Sequence, residues 1–364
     1  MIGGLRSRAS EPEGGVRREV SIFKNTKSQN DCSMSKLAIP TLLLAVLSNV
    51  IQPSFSTAAS PWTAVAITPD GKHVVVGSQQ GIERYTWPEM IATEKLESDL
   101  LHVHDLRFSP DGKTLLAAGG SPAEEGAVEI FAWPKRNRIR KLTLHNDVTY
   151  RVAWSPDGSR WAVASGDGIC SVIDAKSFEQ VACYEGHSRA VLALDFLPDG
   201  KTIASVGIDQ TVRIWDSVLG EHIRTLDNHV GTINAIAVRP SISNRRIGPS
   251  PSDHSLATIA TISEDRTLRI WQPSIGRLMR FAKLPSIPRA FAWSATGDRL
   301  YVGCNDGYLR VVDFDSMKLL DEFEGIVGRI HELIVDENRK QALVVGEAGF
   351  KVVDINPSRA DRKP

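Results

Sequence analysis

Residues 186–216 read GHSRAVLALDFLPDGKTIASVGIDQTVRIWD, opening on Gly186-His187 and closing on Trp215-Asp216. Two apolar runs, VLALDFL at 191–197 and TIASVG at 202–207, flank a Pro-Asp-Gly turn at 198–200. A third run, TVRIW at 211–215, alternates apolar and polar as a half-buried strand does. Three such strands joined by polar turns form an antiparallel meander.

The meander recurs. With the Pro-Asp-Gly turn as marker, comparable units carry Pro69, Pro110, Pro156, Pro198, Pro240, Ala295 and Glu337 at the marker position, with steps of 41, 46, 42, 42, 55 and 42 residues. A period near 42 accommodates four strands per unit. Third strands read IERYTW (82–87), VEIFAW (128–133), ICSVID (169–174), TVRIWD (211–216), TLRIWQ (267–272), YLRVVD (308–313) and FKVVDI (350–355). A fourth follows in the first six units: ATEKL, RIRKL, QVACY, HIRTL, LMRFAKL and LLDEF. No unit contains a convincing helix. A sheet this small cannot bury both faces alone, so neighbouring sheets must stack, and seven stacked radially close into a propeller. The expected fold is therefore all-β: a seven-bladed β-propeller with four-stranded antiparallel blades. The last blade is expected to hold three strands, because Pro357 and the polar tail after FKVVDI make a poor fourth, leaving an exposed edge at 350–355. The alternative supplier of that strand is residues 16–24, VRREVSIFK. The long steps locate insertions at 241–255, between first and second strands of unit five, and at 119–126 in unit two.

Four residues of the quoted stretch stand at informative offsets. Asp209 lies six, Ser205 ten and His187 twenty-eight residues before Trp215. Asp265 and Thr261 repeat the first two offsets before Trp271, with His229 further upstream. This pattern resembles the WD-repeat family, in which such a set forms a hydrogen-bonded chain within one blade. The resemblance spans residues 62–357 and is strongest in units four and five. Unit three keeps His145 and Asp167 but has Val163 and Ile173 at the Ser/Thr and Trp positions, and units six and seven lack the His and the Trp. It implies a non-catalytic scaffold that binds protein or peptide on a propeller face. It also implies a structural task for His187, Ser205, Asp209, Trp215, His229, Thr261, Asp265 and Trp271, since buried indole and imidazole groups need partners.

That task competes with a catalytic triad of His187, Ser205 and Asp209, and no G-x-S-x-G elbow, H-E-x-x-H or clustered metal-ligand pattern supports chemistry. No cofactor is expected. The rival, a lactonase-like or quinone-dependent propeller enzyme, needs ligands converging on the channel, and no carboxylate-rich ring is legible there. The rim is the better candidate. Six residues before each marker stand Thr63, His104, Tyr150, Leu192, Asn234, Arg289 and His331. They are expected at the start of each innermost strand, beside the His187 and Asp209 loops, where His104, Tyr150, Asn234, Arg289 and His331 could meet a polar partner.

Formal charge is zero, with 43 basic and 43 acidic residues, so neither nucleic acid nor an anionic surface is implied by composition. Residues 1–33 are polar and read as a disordered stretch ahead of the true start. Met34 and Lys36 then open a basic n-region, 37–47 is an apolar h-region, and Ser56-Thr57-Ala58-Ala59 suits a signal peptidase. The apolar run is short for a membrane span. The expectation is a signal peptide at 34–59, a propeller at 60–357, a flexible tail at 358–364, and a protein exported to the periplasm or beyond. Six basic and four acidic groups lie in 1–33 and Lys36 adds one, so removing the leader takes the charge from zero to −3. Of the four cysteines, Cys32 precedes the leader and Cys170, Cys183 and Cys304 fall in or beside apolar strands, without metal-ligand spacing. If 174 pairs with 179, then Cys170 faces Cys183, a pairing that an exported protein could oxidise although cross-strand bridges tend to be strained.

Overall fold

A computed structural model describes residues 61–240 and 257–356. All of these lie in the second of two compact units, residues 56–364; the first, residues 1–55, lies outside the described residues. The leader, the insertion at 241–255, the tail and the candidate closing strand at 16–24 fall there too.

Seven antiparallel sheets, each in sequential strand order, span residues 62–96, 103–145, 149–184, 191–226, 233–283, 288–324 and 330–354. Here they are blades one to seven. The first six have four strands. Among the described residues the seventh has three, with Gly349–Asp354 at its edge. The innermost strands are Trp62–Ile67, Val103–Phe108, Thr149–Trp154, Val191–Phe196, Ile233–Val238, Pro288–Trp293 and Ile330–Asp336. Each contacts the next, and the seventh returns to the first, so the ring closes.

The turns that set the period are local chemistry. In the Pro-Asp-Gly turns, Gly71, Gly112, Gly158 and Gly200 hold φ between 65° and 69°, a left-handed conformation that a side chain would strain. The aspartate before each glycine accepts a backbone N–H two residues on, as Asp70 Oδ1 does from Lys72 at 3.0 Å and Asp199 Oδ1 from Lys201 at 2.8 Å. The insertion expected at 119–126 is there, and its residues are largely strand: Thr114–Ser121 and Glu125–Ala132 form a lengthened hairpin.

Blades bury their faces on one another. Val191, Leu194, Phe196, Ile203 and Trp215 of blade four pack with Ala162, Ala164, Val172 and Tyr184 of blade three. At the junction of blades seven and one, Trp62 stacks on Phe350 at 4.6 Å, and the Trp87 indole donates to Asp336 Oδ2 at 3.0 Å across the seam. Inside blade four, His187 Nδ1 donates to Asp209 Oδ2 at 2.9 Å, the Ser205 hydroxyl donates to His187 Nε2 at 2.8 Å, and the Trp215 indole donates to Ser205 Oγ at 3.1 Å. Blade five repeats the chain with His229, Asp265, Thr261 and Trp271 at 2.7–2.8 Å. At blade three, His145 from the end of blade two's outer strand still reaches Asp167 at 3.0 Å, but Val163 has no hydroxyl, and His145 Nε2 has no described partner. Blade six substitutes a guanidinium: buried Arg310 grips Asp306 through two bonds of 2.9 and 2.8 Å and pairs with Glu322 at 2.7 Å.

The cysteine register needs correction. Ile173 pairs with Gln180 as the 174–179 register requires, but a bulge between Val172 and Ile173 then moves Val172 on to Ala182, which places Cys170 opposite Tyr184 and Cys183 opposite Ser171. Cys170 is buried, Cys183 is exposed, and Cys170, Cys183 and Cys304 are free thiols.

Trp215 is fully buried, so Trp215→Ala is expected to cost about 3–5 kcal/mol, as truncation of a buried aromatic does. Asp209→Ala destabilises too, by stripping His187 and the Thr211 turn of their acceptor. Thermal melts of both variants that overlay the parent would show that the chain contributes nothing.

Candidate binding site at the channel mouth

The pairing between first and second strands skips one residue in every blade. The skips fall at Thr63, His104, Tyr150, Leu192, Asn234, Arg289 and His331. Each is the extra residue of a β-bulge, where two residues oppose one and a side chain is re-aimed out of the ladder. All seven line one cavity of about 310 Å³ at the channel mouth. The offset of six residues from the turn marker therefore counts back to the bulge.

The seven are not equally available. Thr63 donates its hydroxyl to the Val103 and Gly77 carbonyls. Asn234 donates to the Pro288 carbonyl at 2.9 Å. Arg289 is braced by Glu264 at 3.0 Å and by Asn305 at 3.1 Å, so it is committed to its neighbours. His104 lies 5.3 Å from the Tyr150 ring and 6.2 Å from the His102 ring, forming an aromatic cluster on one side of the mouth. Burial and the nearby His102 draw the His104 pKa down to about 4, against a weaker pull from Asp105. Burial likewise lowers His331, with Arg329 adding to it. Burial, then Asp147, raises the Tyr150 hydroxyl. At neutral pH this face offers uncharged imidazoles and a phenol, groups that both donate and accept.

Below the bulges lies a charged waist that the sequence reading missed. Arg151 contacts Glu332 through Nη1 and lies 3.6 Å from Asp105, and Arg107 pairs with Asp105 at 3.2 Å. Asp105 also accepts the Val152 amide at 3.0 Å, and Asp195 the Val238 amide at 2.9 Å; each carboxylate ties its blade to an innermost strand of the next. Burial opposes the Arg151 charge, but Asp105 and Glu332 outweigh it and raise its pKa; burial raises that of Asp195. Three carboxylates thus do converge on the channel, contrary to the expectation above. Two arginines share the waist with them, and Asp105 and Glu332 are directly paired. A second cavity of about 420 Å³ opens beneath, with Arg107, Arg151, Asp195 and Glu332 among apolar walls.

The polar chain of blade four is internal. His187 and Ser205 are buried within blade four, so this trio presents no nucleophile to a substrate. Among the described residues no group of three or more His, Cys, Asp or Glu side chains is placed to hold a metal ion.

Comparison with known proteins agrees with this architecture. The family "WD domain, G-beta repeat" matches residues 136–174, 178–216 and 220–272. The chain is similar to protein tipD of Dictyostelium discoideum, 25% identical over 214 residues, covering 57% of this chain and 31% of that protein. It is 32% identical over 142 residues to the nuclear distribution protein PAC1 of Arthroderma benhamiae, covering 38% of this chain and 30% of that one. With the eukaryotic translation initiation factor 3 subunit I of Pyricularia oryzae it shares 28% over 157 residues, 42% of each. The match thus spans less than half the length of each of these relatives.

Because His104 in the folded chain titrates near 4, below its ordinary 6.5, the folded state binds fewer protons than the unfolded one. The stability contributed by neutral His104 is whole above about pH 6.5 and is lost as pH falls toward 4. His104→Gln is expected to flatten that part of a plot of Tm against pH; an unchanged slope would show that His104 does not carry it.

Proposed function

We propose that this WD-repeat propeller is an exported, non-catalytic scaffold that grips a protein or peptide at the channel mouth, chiefly through His104, Tyr150 and His331. One observation carries the reading: every blade spends a bulge at the same height, on the same rim, and the side chains so released differ from blade to blade. Bulges re-aim side chains at sites of function. Repetition in all seven blades gives a ring of non-equivalent groups, suited to an asymmetric partner. WD40 propellers generally serve as interaction scaffolds, and the relatives above bear names of a nuclear distribution protein and a translation factor subunit. The enzyme reading is disfavoured by the charges below the rim, two of whose carboxylates are directly paired with arginine, and by the burial of the blade-four histidine.

Aromatic side chains on a rigid rim carry a disproportionate share of binding energy. The full chain, immobilised and exposed to native extract, is therefore expected to capture a defined partner. Tyr150→Ala and His104→Ala should weaken that capture about tenfold or more at neutral pH, with both variants still melting cooperatively as folded chains. Capture that survives both changes at full strength would displace the site from this rim.

Export is read from the leader alone, and the names of the relatives do not suggest it. The native protein is expected to begin between Ala58 and Ser60 when its N-terminus is sequenced. A native chain that retains residues 1–33 would overturn both the start at Met34 and export.

A further inference from the structure

The outer edge of blade five differs from its counterparts in charge. Its outer hairpin, residues 266–285, reads RTLRIWQPSIGRLMRFAKLP and holds five basic residues and no acidic one. Arg269 is paired with Asp265 and Arg280 with Asp315, but Arg266, Arg277 and Lys283 form no ion pair among the described residues. Blade two offers an internal comparison. Its outer strand Asn137–His145 is also basic, yet Arg138 pairs with Asp99 at 2.6 Å and Lys141 with Glu125 at 2.8 Å, while Arg136 pairs with Glu94 at 2.8 Å. Among the described residues the blade-five hairpin is the less compensated of the two: Arg266, Arg277 and Lys283 lack an ion pair there, against Lys135 and Arg140 in blade two, whose hairpin also carries Glu125 and Glu129.

The same edge exposes apolar surface. Along the outer strand Arg277–Lys283, Phe281 is 58% and Met279 38% exposed, bracketed by Arg277 and Lys283. The turn before the strand adds Ile275 at 57%. That turn abuts the outer strand of blade four, where Arg224 reaches the Ser274 carbonyl at 3.5 Å and Ile223 is 53% exposed. Ile223, Ile275, Met279 and Phe281 thus sit with Arg224, Arg277 and Lys283 along two adjoining blade edges, away from the channel mouth.

We propose that this edge docks on an anionic phospholipid bilayer. The charge is complementary to lipid phosphates, and exposed Met279 and Phe281 lying between the exposed basic ends Arg277 and Lys283 of one edge strand suit an interface. Apolar tips enter the acyl boundary there, while long cationic side chains bend back to the headgroups. The rim stays free to hold its partner while the blade edge lies on the membrane. The docking is independent of export, since both faces of a membrane can carry acidic lipid.

Flotation of the full chain with vesicles tests it. The chain is expected to float with vesicles of phosphatidylcholine and phosphatidylglycerol, to remain behind with phosphatidylcholine alone, and to be released by salt, which screens surface charge. The double change Arg277→Glu with Lys283→Glu should lower the bound fraction about tenfold or more. Met279→Ser with Phe281→Ser should also reduce it, and both variants should melt with the parent because the residues are exposed. Arg138→Glu with Lys141→Glu in blade two serves as control and should float as the parent does. Four outcomes would each overturn the proposal: no flotation, equal flotation on both vesicles, loss shared by the blade-two control, or binding of poly-glutamate without binding of vesicles. The last would assign the edge to an acidic polypeptide instead.

Discussion

A four-stranded blade has two apolar faces and no means of covering either. That constraint governs the rest of the molecule. Each face must lean on the next blade, so Trp215 of blade four packs with Tyr184 of blade three, and Trp271 of blade five with Ile214 of blade four. A buried indole N–H favours an acceptor, and Ser205 and Thr261 supply one to Trp215 and Trp271, whereas the buried Trp161 indole of blade three has no described partner. The histidine and aspartate behind them extend the chain to the surface turn. In blade six, which lacks both the histidine and the indole, Asp306 at the equivalent turn is held instead by the buried guanidinium of Arg310, on the strand position of Arg269 in blade five. The polar networks are thus consequences of interblade burial, which is why they look catalytic in sequence and are closed in the structure.

Much of the fold was legible because its signals are local. A left-handed glycine, an aspartate capping its own turn and a period-2 strand each need only a few residues, and their recurrence near every 42 counts the blades. The rim was legible for the same reason, since the bulge lies at a constant distance from the turn. The waist was not. Asp105, Arg107, Arg151, Asp195 and Glu332 each look like an ordinary charge on a strand, and only closure of the ring brings Arg151 to Glu332, 181 residues away. The cysteine register failed at a single bulge, which slides every partner beyond it by one residue. Arg289 was visible as a rim residue, but its bonds to Glu264 and Asn305 come from loops whose proximity no spacing reveals.

The ring holds its seventh junction differently from the other six. Blades one to seven follow one another along the chain, whereas the return from blade seven to blade one is made, among the described residues, by side chains. The Trp87–Asp336 bond and the Trp62–Phe350 stack with Tyr85 beside it form that clasp. Phe350 and Val352 stay half-buried there, while their counterparts Leu309 and Val311 in blade six are buried beneath a fourth strand.

The bulges also separate two things that a β-sheet usually couples. In a regular ladder each side chain has a cross-strand partner, and changing one disturbs the other. A bulged residue has no such partner, so its identity is not tied to the pairing around it. Read around the mouth, the rim spells Thr-His-Tyr-Leu-Asn-Arg-His, one letter per blade. Thr63, Asn234 and Arg289 are tied to their neighbours, but the other letters can be respelled one at a time while the ladder beneath stays in register. The fold thereby keeps the chemistry of its mouth apart from its architecture, and a duplicated copy of this propeller could change that chemistry by exchanging a few letters.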